Sequence, residues 1–146
     1  MDQVKERTGQ CLCGKVSYRL TEPVKDVGAC HCSTCRRWTG GPFLALHCGA
    51  GGVKFGDENA ISIYSSSEWA ERGFCDTCGS NLFYRLRQSG EIFLLAGTLD
   101  DQSELEFVSQ VFIEEKPAFY TFSNETKNMT GAELFALYAP EEGGKE

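Results

Sequence analysis

Cysteines at positions 11, 13, 30, 32, 35, 48, 75 and 78 constrain this chain more than any other feature. Seven of them fall into three tight groups: Cys11-Leu12-Cys13, Cys30-His31-Cys32-Ser33-Thr34-Cys35 and Cys75-Asp76-Thr77-Cys78. The Cys-X-Cys pairs are too close to bridge each other without strain, yet they suit one shared ion. Thiolates about 2.3 Å from a tetrahedral centre are what zinc requires. Buried cysteines that act only as small hydrophobes have no reason to gather in such groups. Four thiolates also hold an iron–sulfur cluster, so that metal stays as a minor option beside zinc.

Two pairs and one triplet make seven ligands. The pairs, Cys11 with Cys13 and Cys75 with Cys78, can complete a closed four-thiolate sphere of the structural kind. The triplet of Cys30, Cys32 and Cys35 leaves one position for water or a substrate thiolate, as catalytic zinc does. Spacing alone leaves this pairing open. A Cys-X-Cys pair on extended backbone turns both side chains to one face. Gly14 and Gly79 follow two of the groups, where glycine can open a turn and bring N–H groups toward sulfur. By strand alternation His31 faces away from a metal on Cys30 and Cys32, which suits a supporting group or proton shuttle better than a ligand. His47 reads as a strand residue and Cys48 as a core thiol.

A length of 146 residues fits one domain over 1–146, and such a chain hides roughly two-thirds of its unfolded surface. Apolar residues make up 41% and charged residues 24%, as in soluble globular proteins. No apolar run approaches the ~20 residues of a membrane span. The opening MDQVKERTGQ carries no apolar secretion signal, so the expected setting is the cytoplasm, where thiols stay reduced. The sequons at Asn124 and Asn128 then carry no glycan. A net charge of −7 argues against nucleic acid and anionic membranes as partners. Arg36, Arg37 and Arg72 remain as local cations able to grip the carboxylates of a small ligand.

Lys15–Leu20 alternates Val16, Tyr18 and Leu20 with polar neighbours and predicts a half-buried strand. Phe43–Cys48, Ala60–Ser65, Asn81–Leu86, Glu91–Ala96 and Phe107–Ile113 also read as strands, punctuated by glycines. Ser33–Trp38 suggests a helical turn inside the triplet, and Thr130–Tyr138 a short helix with Leu134, Leu137 and Tyr138 on one side. Glu141–Glu146 reads as a frayed tail. The GAGG run at 49–52 lacks the Lys-Ser/Thr of a phosphate loop. The fold class is mainly β with little helix.

Taken in order, the motifs resemble the glutathione-dependent formaldehyde-activating enzyme family, also called the centromere-protein-V-like family. They read Gly9-Gln10-Cys11-Leu12-Cys13-Gly14-Lys15-Val16; Cys30-His31-Cys32-Ser33-Thr34-Cys35-Arg36-Arg37-Trp38-Thr39-Gly40; Ser67 with Glu71-Arg72-Gly73-Phe74-Cys75-Asp76-Thr77-Cys78-Gly79; and Gly97-Thr98-Leu99-Asp100. The resemblance spans about 9–100. It implies a β-tent of small antiparallel sheets pinned by zinc. It implies a structural zinc on Cys11, Cys13, Cys75 and Cys78, and a labile or catalytic zinc on Cys30, Cys32 and Cys35. It implies a carbon–sulfur lyase that condenses formaldehyde with glutathione to S-hydroxymethylglutathione. Cys48 is a thiol beyond the pattern, and residues 108–120 lack the tryptophans such proteins often carry there. Two other classes fit the triplet as well: a non-catalytic zinc-binding module that engages a protein, and a thiol redox or metal-buffering protein.

Overall fold

The computed structural model describes residues 6–138. In chain order the strands are β1 (Thr8–Gln10), β2 (Ser17–Leu20), β3 (Asp26–Cys30), β4 (Phe43–Ala50), β5 (Val53–Phe55), β6 (Ile61–Ser65), β7 (Ala70–Cys75), β8 (Asn81–Leu86), β9 (Glu91–Leu95), β10 (Glu106–Val111) and β11 (Lys127–Met129). Two α-helices join them, α1 (Ser33–Thr39) and α2 (Gly131–Tyr138). The architecture is mainly β, as expected. The contacts gather the chain into two compact units: the described residues of Met1–Val27 with Leu44–Glu106, and those of Gly28–Phe43 with Phe107–Glu146.

In the first unit β1, β2 and β5 form a small antiparallel sheet. A second antiparallel run follows the order β4-β9-β8-β7-β6. The alternation in β2 buries Tyr18 and Leu20 and exposes Ser17 and Arg19. The predicted strand Lys15–Leu20 begins only at Ser17, because the chain before it turns to place two thiols. Val16, Leu46, Leu82 and Leu94 are fully enclosed, and Phe83 is 1% exposed. The Phe83 ring meets Phe55 at 5.4 Å, and Phe55 meets Tyr18 edge-on at 5.9 Å. Burying a phenylalanine this fully stabilises by about 1.5–3 kcal/mol. Gly73 pairs with Phe83 across β7 and β8, and a Cβ there would stand 2.3 Å from the ring.

In the second unit β10 lies beside β11, in register Ser109↔Lys127, Gln110↔Asn128 and Val111↔Met129. This pair is parallel, because residues 112–126 carry the chain back before β11 begins. The predicted strand Phe107–Ile113 stops at Val111, where Phe112 turns to a left-handed φ of 55°. Helix α2 starts with a reciprocal cap. The Glu133 N–H donates to Thr130 Oγ1, and the Thr130 N–H donates to Glu133 Oε1. Phe112 packs edge-on against Phe135 of this helix. Leu134 is half-buried and Leu137 exposed, so the expected apolar side is only partly covered. Tyr138's side chain and the Glu141–Glu146 tail lie outside the described residues. No helix among the described residues is long and apolar enough to cross a membrane.

Replacing Gly73 by alanine forces a methyl group into the Phe83 ring. Gly73→Ala should therefore cost about 1–3 kcal/mol in urea unfolding. An unchanged midpoint would show that this contact yields without penalty.

Candidate metal centres

The first unit brings four thiols together. Cys11 and Cys13 lie in a turn closed by the Gly14 N–H donating to the Cys11 carbonyl at 3.1 Å. The expected extended geometry is replaced by this turn, with Gly14 at φ 85° and Leu12 at its exposed tip. Cys75 ends β7, and a matching turn follows: the Gly79 N–H donates to the Cys75 carbonyl at 3.0 Å, with Gly79 at φ 79°. Only glycine holds such left-handed angles without cost. Both turns aim backbone N–H groups at sulfur. Val16 N lies 3.3 Å from Cys11 Sγ, and Thr77 N and Cys78 N lie 3.3 and 3.4 Å from Cys75 Sγ.

Cys11 Sγ stands 3.7 Å from Cys13 Sγ, and Cys13 Sγ 3.8 Å from Cys75 Sγ. A tetrahedron with 2.3 Å spokes has edges of about 3.8 Å. All four sulfurs lie within 4.8 Å of one another, so the cluster can hold one metal ion. Ser80 knits the two turns together: its hydroxyl accepts the Leu12 N–H at 3.0 Å and lies 3.2 Å from Cys78 Sγ. That hydroxyl, with backbone N–H groups, brings the Cys78 thiol down to about 5. Asp100 braces β1 just before the first turn. Its N–H donates to the Thr8 carbonyl at 2.9 Å, and its carboxylate accepts the Thr8 hydroxyl at 2.7 Å.

The second unit holds the triplet. Cys30 ends β3, Cys32 caps α1 from an extended backbone, and Cys35 sits buried in the first turn of that helix. Their sulfurs also lie within 4.8 Å of one another. Cys35 N lies 3.4 Å from Cys32 Sγ. Hydrogen bonds from Cys30 and Cys35 push the Cys32 thiol down to about 2, and the reciprocal bonds push Cys30 far up. Outside the sulfur set, the Ser33 N–H donates to Glu115 Oε1 at 2.9 Å.

His31 is fully buried. Its Nε2 lies 2.7 Å from Gln110 Oε1 and its Nδ1 2.8 Å from Tyr120 Oη. Gln110 Nε2 donates to Thr126 Oγ1 at 2.9 Å, which fixes Gln110 Oε1 as an acceptor. The imidazole thus carries its proton on Nε2, and Nδ1 accepts from the Tyr120 hydroxyl. Burial lowers the His31 pKa and keeps the ring neutral. His31 is not among the residues whose ligand atoms gather at the triplet. Sequence reasoning missed Gln110, Tyr120 and Ser80, since pairings 79, 89 and 68 residues apart leave no local signal.

Arg36 lies on α1, where its Nε donates to the His31 carbonyl at 2.8 Å, and Arg37 is exposed on the same helix. Arg72 belongs to the first unit. It is 3% exposed, and its guanidinium carbon sits 4.8 Å above the Tyr84 ring. His47 stacks on Phe93 at 4.5 Å and meets Glu91 at 3.0 Å on the surface, well apart in role from any thiol. Cys48 is buried against the Leu46 carbonyl and joins neither cluster. None of the eight cysteines forms a disulfide.

The pattern of the family described as glutathione-dependent formaldehyde-activating enzyme matches residues 6–115. The chain belongs to that family. A relative from Schizosaccharomyces pombe, described as an uncharacterized lyase, is 33% identical over 130 residues, covering 88% of this chain and 94% of the relative. A crystal structure of a Rhodobacter sphaeroides protein superposes with a TM-score of 0.54 at 24% identity, covering 69% of this chain and 99% of that one. At that identity the likeness speaks for the fold alone.

Burial pushes the Cys48 thiol up to about 12, so it stays protonated well into the alkaline range. Native protein treated with iodoacetamide at mildly alkaline pH should leave Cys48 unmodified in peptide mass mapping, and denatured protein should modify it fully. Rapid native labelling of Cys48 would contradict its placement in the core.

Proposed function

We propose that this chain is a zinc-dependent enzyme of the carbon–sulfur lyase type, acting on glutathione or on thiol–aldehyde adducts in a reducing cytoplasm. The observation that carries the reading is the inequality of the two thiol clusters, four sulfurs in one and three in the other. All-thiolate donor sets at tetrahedral spacing suit zinc, and neither cluster offers the oxygen ligands of a hard cation. Four thiolates make a closed structural centre. At the triplet, bound zinc supplies an open coordination position and lowers the pKa of a thiol that takes it.

The remaining work belongs to the chain's own side chains. Cys30, Cys32 and Cys35 are delivered by a strand end, a helix cap and the first helical turn, so a short segment presents all three. Arg36 and Arg37, on the same helix as Cys35, supply cations for the carboxylates of a peptide thiol. Arg72, buried over Tyr84, serves packing in this reading. The reaction balances without oxidant or reductant. Thiol sulfur bonds to the aldehyde carbon, the carbonyl π electrons move to oxygen, and that oxygen takes the proton the thiol gives up. Water or His31 carries this proton.

Exchange between carbon-13 formaldehyde and its glutathione adduct can be followed by NMR with the full zinc-loaded chain. The protein should accelerate exchange at least about tenfold over the spontaneous rate. Cys32→Ser should lose that acceleration while keeping the fold. Exchange at the spontaneous rate with stoichiometric wild-type protein would favour the binding-module or metal-buffering reading instead.

A further inference from the structure

Every polar group of His31 is committed. Its N–H donates to the Val111 carbonyl at 3.1 Å, and its own carbonyl accepts from Arg36 Nε at 2.8 Å. Its ring accepts from Tyr120 at Nδ1 and donates from Nε2 to Gln110. The bonds continue in one sense: Gln110 Nε2 to Thr126 Oγ1 at 2.9 Å, then the Thr126 hydroxyl to Asn128 Oδ1 at 2.6 Å. Gln110, Thr126 and Asn128 line an open groove of ≈ 560 Å³, where the chain of bonds reaches solvent. A buried residue with four satisfied polar groups has no slack in position or rotation. His31 stands between Cys30 and Cys32, two of the three sulfur donors.

We infer that His31 is the positioning residue of the triplet: the Tyr120–His31–Gln110 clamp fixes the backbone on both sides of the ring, so that Cys30 and Cys32 converge with Cys35 on one ion. The inference rests on the reading that the triplet holds a metal. None of the clamp's side chains is among the donors that gather at the triplet. It holds two donors at ligand spacing before any ion arrives, and so reduces the reorganisation that binding would otherwise require. Removing one contact lets residues 30–32 drift, and the loss falls on the triplet while the four-thiol cluster of the first unit stays intact.

Cobalt(II) titration of the full chain, with a competing chelator, tests this. Cobalt on thiolates gives intense charge-transfer bands, with d–d bands that report coordination geometry, and the four-thiol cluster serves as an internal control of folding. Wild type should take two equivalents. Tyr120→Phe and His31→Leu should weaken the triplet equivalent about 10–100-fold and shift its d–d bands, with the other equivalent unchanged. If His31→Leu also loses the four-thiol cobalt, Tyr120→Phe, which keeps the ring, decides the matter. Two equivalents in wild type with unaltered affinity and bands in Tyr120→Phe overturn the positioning role alone. A single equivalent in wild type overturns the reading of the triplet as a metal centre, and the clamp's role with it.

Discussion

Cys13 and Cys75 hold their sulfurs 3.8 Å apart although 62 residues separate them along the chain. Unlinked thiols have little attraction for one another, and burying several of them together without an ion strands their charge and protons. A tetrahedral cation reverses that balance, since the free energy of binding becomes free energy of folding. Much else in the first unit serves this convergence. The glycine at each turn takes an angle other residues resist, Ser80 ties one turn to the other, and Asp100 braces the strand that leads into the first turn.

The second unit solves a related problem with other means. Its three sulfurs come from a stretch of six residues, so little chain entropy opposes their meeting. Short spacing alone does not aim the side chains, and here aiming falls to hydrogen bonds. Cys32 caps α1, Glu115 takes the Ser33 N–H, Arg36 holds the His31 carbonyl, and Tyr120 and Gln110 hold the imidazole. A three-thiol set built this way suits a metal that exchanges its fourth ligand, whereas the four-thiol set has no such position.

Much of this was legible in the sequence. The cysteine groups give both clusters by spacing and motif order. Strands with strong apolar periodicity, such as Asn81–Leu86 and Glu91–Leu95, emerge at or near their predicted bounds. Three of those that escaped reading share a cause. Thr8–Gln10, Val53–Phe55 and Lys127–Met129 are three residues long, too short for any period to show. Ala70–Cys75 hides its strand character because it buries an arginine and a glycine where apolar side chains are expected. The turn at Cys11–Gly14 was misread as extended for want of a local marker beyond the glycine. Gln110 and Tyr120 gave no warning at all, since what makes them matter is long-range pairing with a single buried ring.

The central claim is that seven thiolates hold two ions, one fully and one incompletely surrounded by sulfur. Zinc K-edge X-ray absorption on the purified full chain measures this most directly. The account predicts two zinc ions per chain with a sulfur shell at about 2.3 Å, averaging between three and four sulfurs per ion, and a light atom completing the remainder. One zinc per chain with the triplet thiols joined in a disulfide, or a shell dominated by nitrogen and oxygen, would contradict it.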